Sequence, residues 1–402
     1  MITYSEANSI IERELLKLKL ETEEVDLINC TGRILAENIY SDINLPPFTN
    51  SAMDGYAVKF NSGIRKWKIT GEISAGNYQD YEIGNGLAVS IMTGGKLPEK
   101  ADTVIPIEEV TLENDLIILN EDSVYRKGIN VRKTGNDLLK GNIAVDKNTL
   151  IKPKHIAVAA SCGKDRLQVY KRIKMGVLAT GDELIDVSEV PLEDKIRSSN
   201  LYTLLSAAEE MGQAGVNYGT TGDDKEKIEN KLKSFLESDT DILITTGGVS
   251  VGKYDFVEPL MEKLGVSVHF WKVNIKPGKP VIFGTHDDGR KMRFIFGLPG
   301  NPVSCLVSFI IFIKKNLLKL FGIPDQDFFS AELRDNIKKS DGKLHFMRGM
   351  FSRDPDGNIT VRRVGLQSSG NLAEMGRSNC LIVFDEDKNE LKSGERVICI
   401  PI

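Results

Sequence analysis

Residues 271–280 (WKVNIKPGKP) place Lys272, Lys276 and Lys279 in one short loop, and Pro277 and Pro280 restrict its backbone. Ammonium groups held on a stiff backbone bind oxyanions, each charge-assisted bond being worth about 1.5–3 kcal/mol. A second string, residues 245–252 (TTGGVSVG), sets Gly247 beside Gly248 and runs on through Ser250 to Gly252. Adjacent glycines let backbone N–H groups converge on phosphate oxygens. The spacing G-G-x-x-x-G is neither the dinucleotide fingerprint nor the P-loop. Asp255 follows shortly. Beside a phosphate it would repel unless a divalent cation bridged the two, so Mg2+ is the expected metal.

Two more loops carry unusual chemistry. Residues 178–184 (LATGDEL) offer Thr180, Gly181, Asp182 and Glu183, and residues 297–302 (GLPGNP) offer Pro299, Gly300, Asn301 and Pro302. Two prolines preset a turn, and Asn301 can cap a helix. Asp54 lies in a dense string at 46–56 (PPFTNSAMDGY) and Asp137 in another at 132–137 (RKTGND). Each loop alone also suits a plain turn. Their chemistry depends on which elements bring them together.

Those elements change rhythm along the chain. Residues 3–19 predict a helix capped by Ser5, and 25–35 and 39–43 read as strands around the Thr31-Gly32 turn. From 51 to about 143 short β-type runs are bounded by Gly, Asn and Asp, which predicts an all-β module. A short helix is expected at 152–161. Residues 173–321 alternate strands with helices, including a helix capped at 198–200 and a long one over 302–320. That alternation predicts a doubly wound, mostly parallel α/β sheet, whose ligands bind at the carboxyl ends of its strands. The last 80 or so residues read as strands again.

Composition removes several classes. With Lys+Arg 52 and Asp+Glu 57 the net charge is −5, so no wide basic footprint for nucleic acid exists. The five cysteines are scattered with no C-x-x-C, and the four histidines are isolated, which argues against a disulfide framework or a thiolate zinc site. No apolar run reaches the ~18 residues of a membrane-spanning helix. The first residues lack a leader pattern, so the expectation is a soluble, cytoplasmic protein with no nucleic-acid or membrane partner.

Taken together, residues 46–58, 90–98 (SIMTGGKLP), 177–184, 241–256, 271–280 and 297–302 closely resemble the molybdopterin molybdenumtransferase family, which includes the E domain of gephyrin. The likeness runs in order over essentially the whole chain, and the tail string 366–370 (LQSSG) also fits. The resemblance implies four parts: an elongated linker domain from 1–45 and 143–172, a β domain at 46–142, a molybdopterin-binding α/β domain at 173–323, and a C-terminal β barrel at 324–402. It implies a homodimer in which the β domain of one subunit reaches the cleft of the other. It also implies Mg2+-dependent insertion of molybdate into adenylylated molybdopterin with release of AMP, and transient contact with the molybdopterin adenylyltransferase.

By the same resemblance Asp54, Asp137, Glu183, Asp223, Asp255, Lys272 and Lys276 would be catalytic, with Asp255 and Glu183 on the metal. Thr180, Gly181, Gly247, Gly248, Ser250, Gly252, Pro299, Gly300, Asn301 and Pro302 would hold the pterin substrate. Lys276, Lys279, Arg348 and Ser369 would hold molybdate. Gly95 and Lys253 stand where the family usually has Ala and an acidic residue. A lysine cage would not separate molybdate from tungstate, which has nearly the same size and charge. Two other readings remain: an adenylyltransferase acting on molybdopterin, argued against by the first 170 residues, and a non-catalytic scaffold like gephyrin.

Overall fold

The computed structural model describes residues 1–77, 79–248, 256–324 and 328–402. Ser250, Gly252, Lys253 and Asp255 therefore lie outside the described residues.

Helix α1 (Tyr4–Leu15) is capped by Thr3, not Ser5. Thr3 accepts from the Glu6 N–H while Glu6 reaches back to the Thr3 N–H, and this reciprocal pair fixes the cap two residues earlier. Ala7, Ile11 and Leu15 form an i, i+4 stripe buried in the same core as the α/β domain. The expected strand at 25–35 breaks into Thr22–Asp26 and a 3-10 turn at Leu27–Asn29. Thr22–Asp26 pairs antiparallel with Arg166–Tyr170, and Ile39–Tyr40 pairs with Ile143–Val145. Helix α2 (Pro153–Ser161) packs on this small linker unit, whose core holds Cys30, Leu35, Ile39, Val145 and Val169.

The β module forms a six-stranded sheet in the order Thr103–Pro106, Gly55–Val58, Leu87–Ile91, Lys66–Ile73, Leu116–Leu119, Val110–Glu113. The Gly55–Val58 strand is buried along its whole length between two neighbours. That burial places Asp54 at the sheet's rim, just before the strand begins.

The α/β domain has a second six-stranded sheet, ordered Ala214–Thr221, Lys174–Thr180, Ile242–Thr246, Met292–Leu298, Ile282–Asp287, Ser267–Trp271. The first four strands are parallel, and Ile282–Asp287 runs against both of its neighbours, Met292–Leu298 and Ser267–Trp271. Helices α3 (Ser199–Glu210), α4 (Lys225–Glu237) and α5 (Val257–Lys263) connect them. Asp224 caps α4 through the Lys227 N–H, and Ile228, Leu232 and Phe235 bury one face. All five residues of Ile242–Thr246 are buried, as a central parallel strand covered on both faces requires.

Residues 302–320 stay helical but not uniformly α. Helix α6 (Pro302–Ser308) passes through a π-type segment at Phe309–Lys314 into α7 (Lys315–Leu320). Phe309, Ile310, Ile311, Phe312 and Ile313 are all buried, and the wider turn sits where the helix is enclosed on every side. In the last domain five strands close a ring: Leu344–Arg353, Ile359–Arg363, Phe329–Leu333, Arg396–Pro401 and Cys380–Phe384. Beside this ring, Ile275–Lys276 of the lysine loop adds a short parallel strand at Leu344–His345. All five cysteines are free and buried.

Candidate active site

The chain runs from Lys174–Thr180 out to the edge strand Ala214–Thr221 and then returns to Ile242–Thr246 on the opposite side. This reversal of strand order opens a crevice at the carboxyl ends of the central strands. A cleft of about 380 Å³ lies there, and its walls include Thr180, Glu183, Gly247, Gly248, Pro299, Gly300, Asn301 and Pro302. Three loops far apart in sequence thus meet. Gly181 adjoins them, and a Cβ on it would lie 2.5 Å from the Glu183 carboxylate.

Their approach is close. Thr180 Oγ1 donates to the Thr246 carbonyl at 3.2 Å, and a Cβ on Gly247 would lie 2.3 Å from the Thr180 carbonyl oxygen. Gly247 also has φ +88°. A side chain there is excluded both by backbone conformation and by space. Gly247→Ala is expected to destabilise the fold by about 3 kcal/mol or more. The same change at Gly128, with φ +81° and nothing within 4 Å, should show only the conformational strain. Thermal melts of both variants check this; equal melting temperatures would refute it.

The loop 198–200 was expected only to start a helix. Ser198 is the N-cap of α3, but its side chain caps nothing. Instead Asn200 Nδ2 donates to the Gly300 carbonyl at 2.7 Å, fastening α3 to the 297–302 turn. Ser198, Ser199 and Asn200 all line the cleft. A polar triplet directly at a helix start was the available signal.

A second cleft, of about 730 Å³, lies between the lysine loop and the barrel. Lys276, Lys279, Arg348 and Ser369 all line it, and Pro280 borders both clefts. The Val303 N–H of α6 donates to the Ser369 carbonyl, which docks the barrel loop onto the helix start. A Cβ on Gly278 would come within 2.5 Å of Ser308 Oγ, so the lysine loop packs directly on the end of α6.

Arg348 is 1% exposed. Its guanidinium donates to the carbonyls of Asn371 and Leu366, so it braces the loop that carries Ser368 and Ser369, and its Nε makes no bond. Burial lowers its pKa. Sequence reasoning missed Asp341 and His345 on the same wall. They lie outside the motif strings, and only the pairing of Ile275–Lys276 with Leu344–His345 brings them to Lys276.

Other expected residues stand apart. Lys272 holds its ammonium 3.6 Å from the centre of the Trp271 ring and lines neither cleft. Asp223 also lines neither; its N–H donates to Asp182 Oδ1, tying the loops after two strands together. Asp54 Oδ1 accepts from the N–H and hydroxyl of Thr93 at 2.6 and 2.8 Å, and these bonds hold its carboxyl below the ordinary range. Asp54 and Asp137 line neither cleft of their own chain.

Three family models match the chain in order. "MoeA N-terminal region (domain I and II)" covers residues 2–163, "Probable molybdopterin binding domain" 176–319, and "MoeA C-terminal region (domain IV)" 330–402. A molybdopterin molybdenumtransferase of Haemophilus influenzae is 36% identical, over 100% of this chain and 98% of the relative. The chain belongs to the molybdopterin molybdenumtransferase family. As a member it is a transferase of molybdenum cofactor biosynthesis. The Bacillus subtilis molybdenumtransferase is 33% identical over 94% of this chain and 89% of its own length. Gephyrin of Dictyostelium discoideum is 31% identical over 100% of this chain but only 62% of its own.

The family also accounts for the fold. The crystal structure of the molybdopterin biosynthesis moeA protein from Pyrococcus horikoshii OT3 superposes with a TM-score of 0.82 at 28% identity, covering 100% of both chains. The multidomain α/β and β architecture, including the closed barrel, is thus that of the molybdenumtransferases. Among the described residues no helix is long and apolar enough to cross a membrane.

Proposed function

We propose that this molybdenumtransferase cleaves adenylylated molybdopterin and inserts molybdate at its dithiolene sulfurs, releasing AMP, with Mg2+ present and as a homodimer. The observation that carries the reading is the shared wall at Pro280. A cleft suited to a phosphorylated heterocycle adjoins one lined by cations. The first accommodates the substrate through the glycine pair and the 297–302 turn; the second accommodates the tetrahedral dianion through Lys276, Lys279 and the Ser369 loop. A transient contact with the adenylyltransferase would deliver the nucleotide-capped substrate.

Mg2+ suits the donor set of the first cleft. It binds through one or two carboxylates together with substrate phosphates. Glu183 is a carboxylate on that wall, and Asp255 would be the second. Among the described residues no cluster of three His, Cys, Asp or Glu side chains could hold a metal by itself. That is compatible with an ion completed by phosphate oxygens. When bound it would neutralise charge on those oxygens. The chain's own residues orient the substrate: Gly247 and Gly248 bring side-chain-free backbone to the cleft wall, the Gly247 N–H being held by the Leu298 carbonyl, and Asn200 holds Gly300 in place. Asp54, supplied by the second protomer, is the carboxylate that manages a proton at the anhydride.

Removal of divalent cations tests the reading. With purified protein, adenylylated molybdopterin and molybdate, AMP release should stop on chelation and return with Mg2+ alone. AMP release at the full rate in a chelator would overturn the metal assignment. Accumulation of adenylylated pterin from ATP would favour the adenylyltransferase instead.

A further inference from the structure

The cationic cleft contains a side-chain pair that oxyanion binding leaves unused. Asp341 stands between two neighbours: its Oδ2 lies 3.3 Å from Lys276 Nζ and its Oδ1 2.8 Å from His345 Nε2. The pairing of Ile275–Lys276 with Leu344–His345 puts Lys276 and His345 directly in register, so the arrangement follows from the barrel's extra strand. An ionised carboxylate only accepts, so Asp341 fixes the imidazole proton on Nε2 and leaves Nδ1 as a lone pair. Nδ1 makes no hydrogen bond within the described residues, and His345 lines the cleft.

The surroundings tune both partners. His345 is 7% exposed and its ring meets Phe384 edge-on, with centroids 6.1 Å apart. Burial pushes the imidazole below its ordinary range, against the pull of Asp341, with Lys339 and Lys276 adding to the lowering. This favours the neutral imidazole. Burial alone would raise Asp341, but the hydrogen bonds from His345 and Lys276 bring it down to about 2. Lys339 is held by the carbonyls of Lys343, Phe384 and Asp385, and Arg348 by its loop, so neither competes for Nδ1.

We propose that His345, oriented by Asp341, is a catalytic residue that carries a proton from a substrate thiol to the oxygen lost from molybdate. This rests on the reading of the cleft as the molybdate site. The step balances without any redox partner. A dithiol and the tetrahedral dianion give a dithiolate–trioxo dianion and one water. Two S–H bonds and one Mo–O bond break, and two Mo–S bonds and two O–H bonds form. The charge stays at −2 and molybdenum keeps its oxidation state. Nδ1 takes one thiol proton, which makes the sulfur a nucleophile, and the resulting imidazolium passes it to the departing oxygen; the second thiol proton follows the same route as the second sulfur joins molybdenum, so the oxygen leaves as water. Asp341 stabilises the imidazolium in between.

The test uses the full chain with His345→Gln and Asp341→Asn, melting temperature checking the fold of each. Molybdate binding is measured by equilibrium dialysis, and insertion by single turnover across pH. His345→Gln is expected to bind molybdate within about twofold of wild type yet insert it about 10²-fold or more slowly. Its rate–pH profile should lose the fall on the acid side that protonation of a base produces. Asp341→Asn should keep that limb but shift it and slow the rate less. An unchanged rate, or a slower rate that keeps the acid limb of the wild type, overturns the proposal. If a Lys276→Ala/Lys279→Ala chain binds molybdate as wild type does, the site reading falls, and this step with it. A His345→Gln chain with unimpaired insertion beside lysine-dependent binding overturns the step alone.

Discussion

Asp54→Ala lowers cofactor synthesis by about 10²-fold or more, and mixing it with a Lys276→Ala/Lys279→Ala chain restores about a quarter of wild-type activity. This is the expected result if each site draws on two protomers. The Asp54 carboxylate is fixed by Thr93 and stands at the rim of the β module. It lines neither cleft of its own chain. In the reading proposed above, a second copy carries this carboxylate to the chemistry. After random exchange about half of the dimers are mixed, and each mixed dimer has one of its two sites intact, hence about a quarter. Mass-tagged subunits confirm that exchange has occurred. Mixed dimers without activity, or a fully active monomer, would exclude the cross-subunit site.

The double variant Lys276→Ala/Lys279→Ala should lose about 10²- to 10⁴-fold in molybdate affinity, from two charge-assisted contacts of about 1.5–3 kcal/mol each. Two effects act in opposite directions. Lys276 and Lys279 are exposed, so salt screens them and the loss should shrink as ionic strength rises. Against this, Lys276 now neutralises Asp341 at 3.3 Å; its removal leaves a carboxylate facing the incoming dianion. Adding Asp341→Asn to the double variant should therefore recover part of the lost affinity. Isothermal titration with molybdate at two salt concentrations reads both effects. Binding unchanged in the double variant would remove the lysine loop from the oxyanion site.

Mutation of the two glycine positions and of the lysine loop probe different things. Gly247 is a matter of space and backbone, legible only as a pair of glycines until Thr180 is seen beside it. The lysines are a matter of charge, and their spacing with Pro277 and Pro280 already points to an anion. What the spacing does not disclose is the partner wall. His345 looked isolated in the chain, and Arg348 looked like a ligand. Folded, Arg348 braces the 366–371 loop from within, while His345 faces the cleft on the arm of Asp341.

The local elements were largely decided by the order of residues. The alternation over 173–321, the apolar runs of the parallel strands, and the Pro302 helix start all follow from periodicity and turn chemistry, which act between near neighbours. Errors arose where two local signals competed. Thr3 and Ser5 both offered a cap, and the Glu6 reciprocal bond selected Thr3. Residues 302–320 read as one helix, but a π-type segment interrupts it where residues 309–313 are all buried. The strand order, the meeting of three loops at the sheet's switch point, and the strand pairing that brings Asp341 and His345 to Lys276 were settled only in three dimensions. Those contacts join residues tens to hundreds of positions apart. Their free energy comes from burying whole faces against one another, and no short window of sequence carries that information.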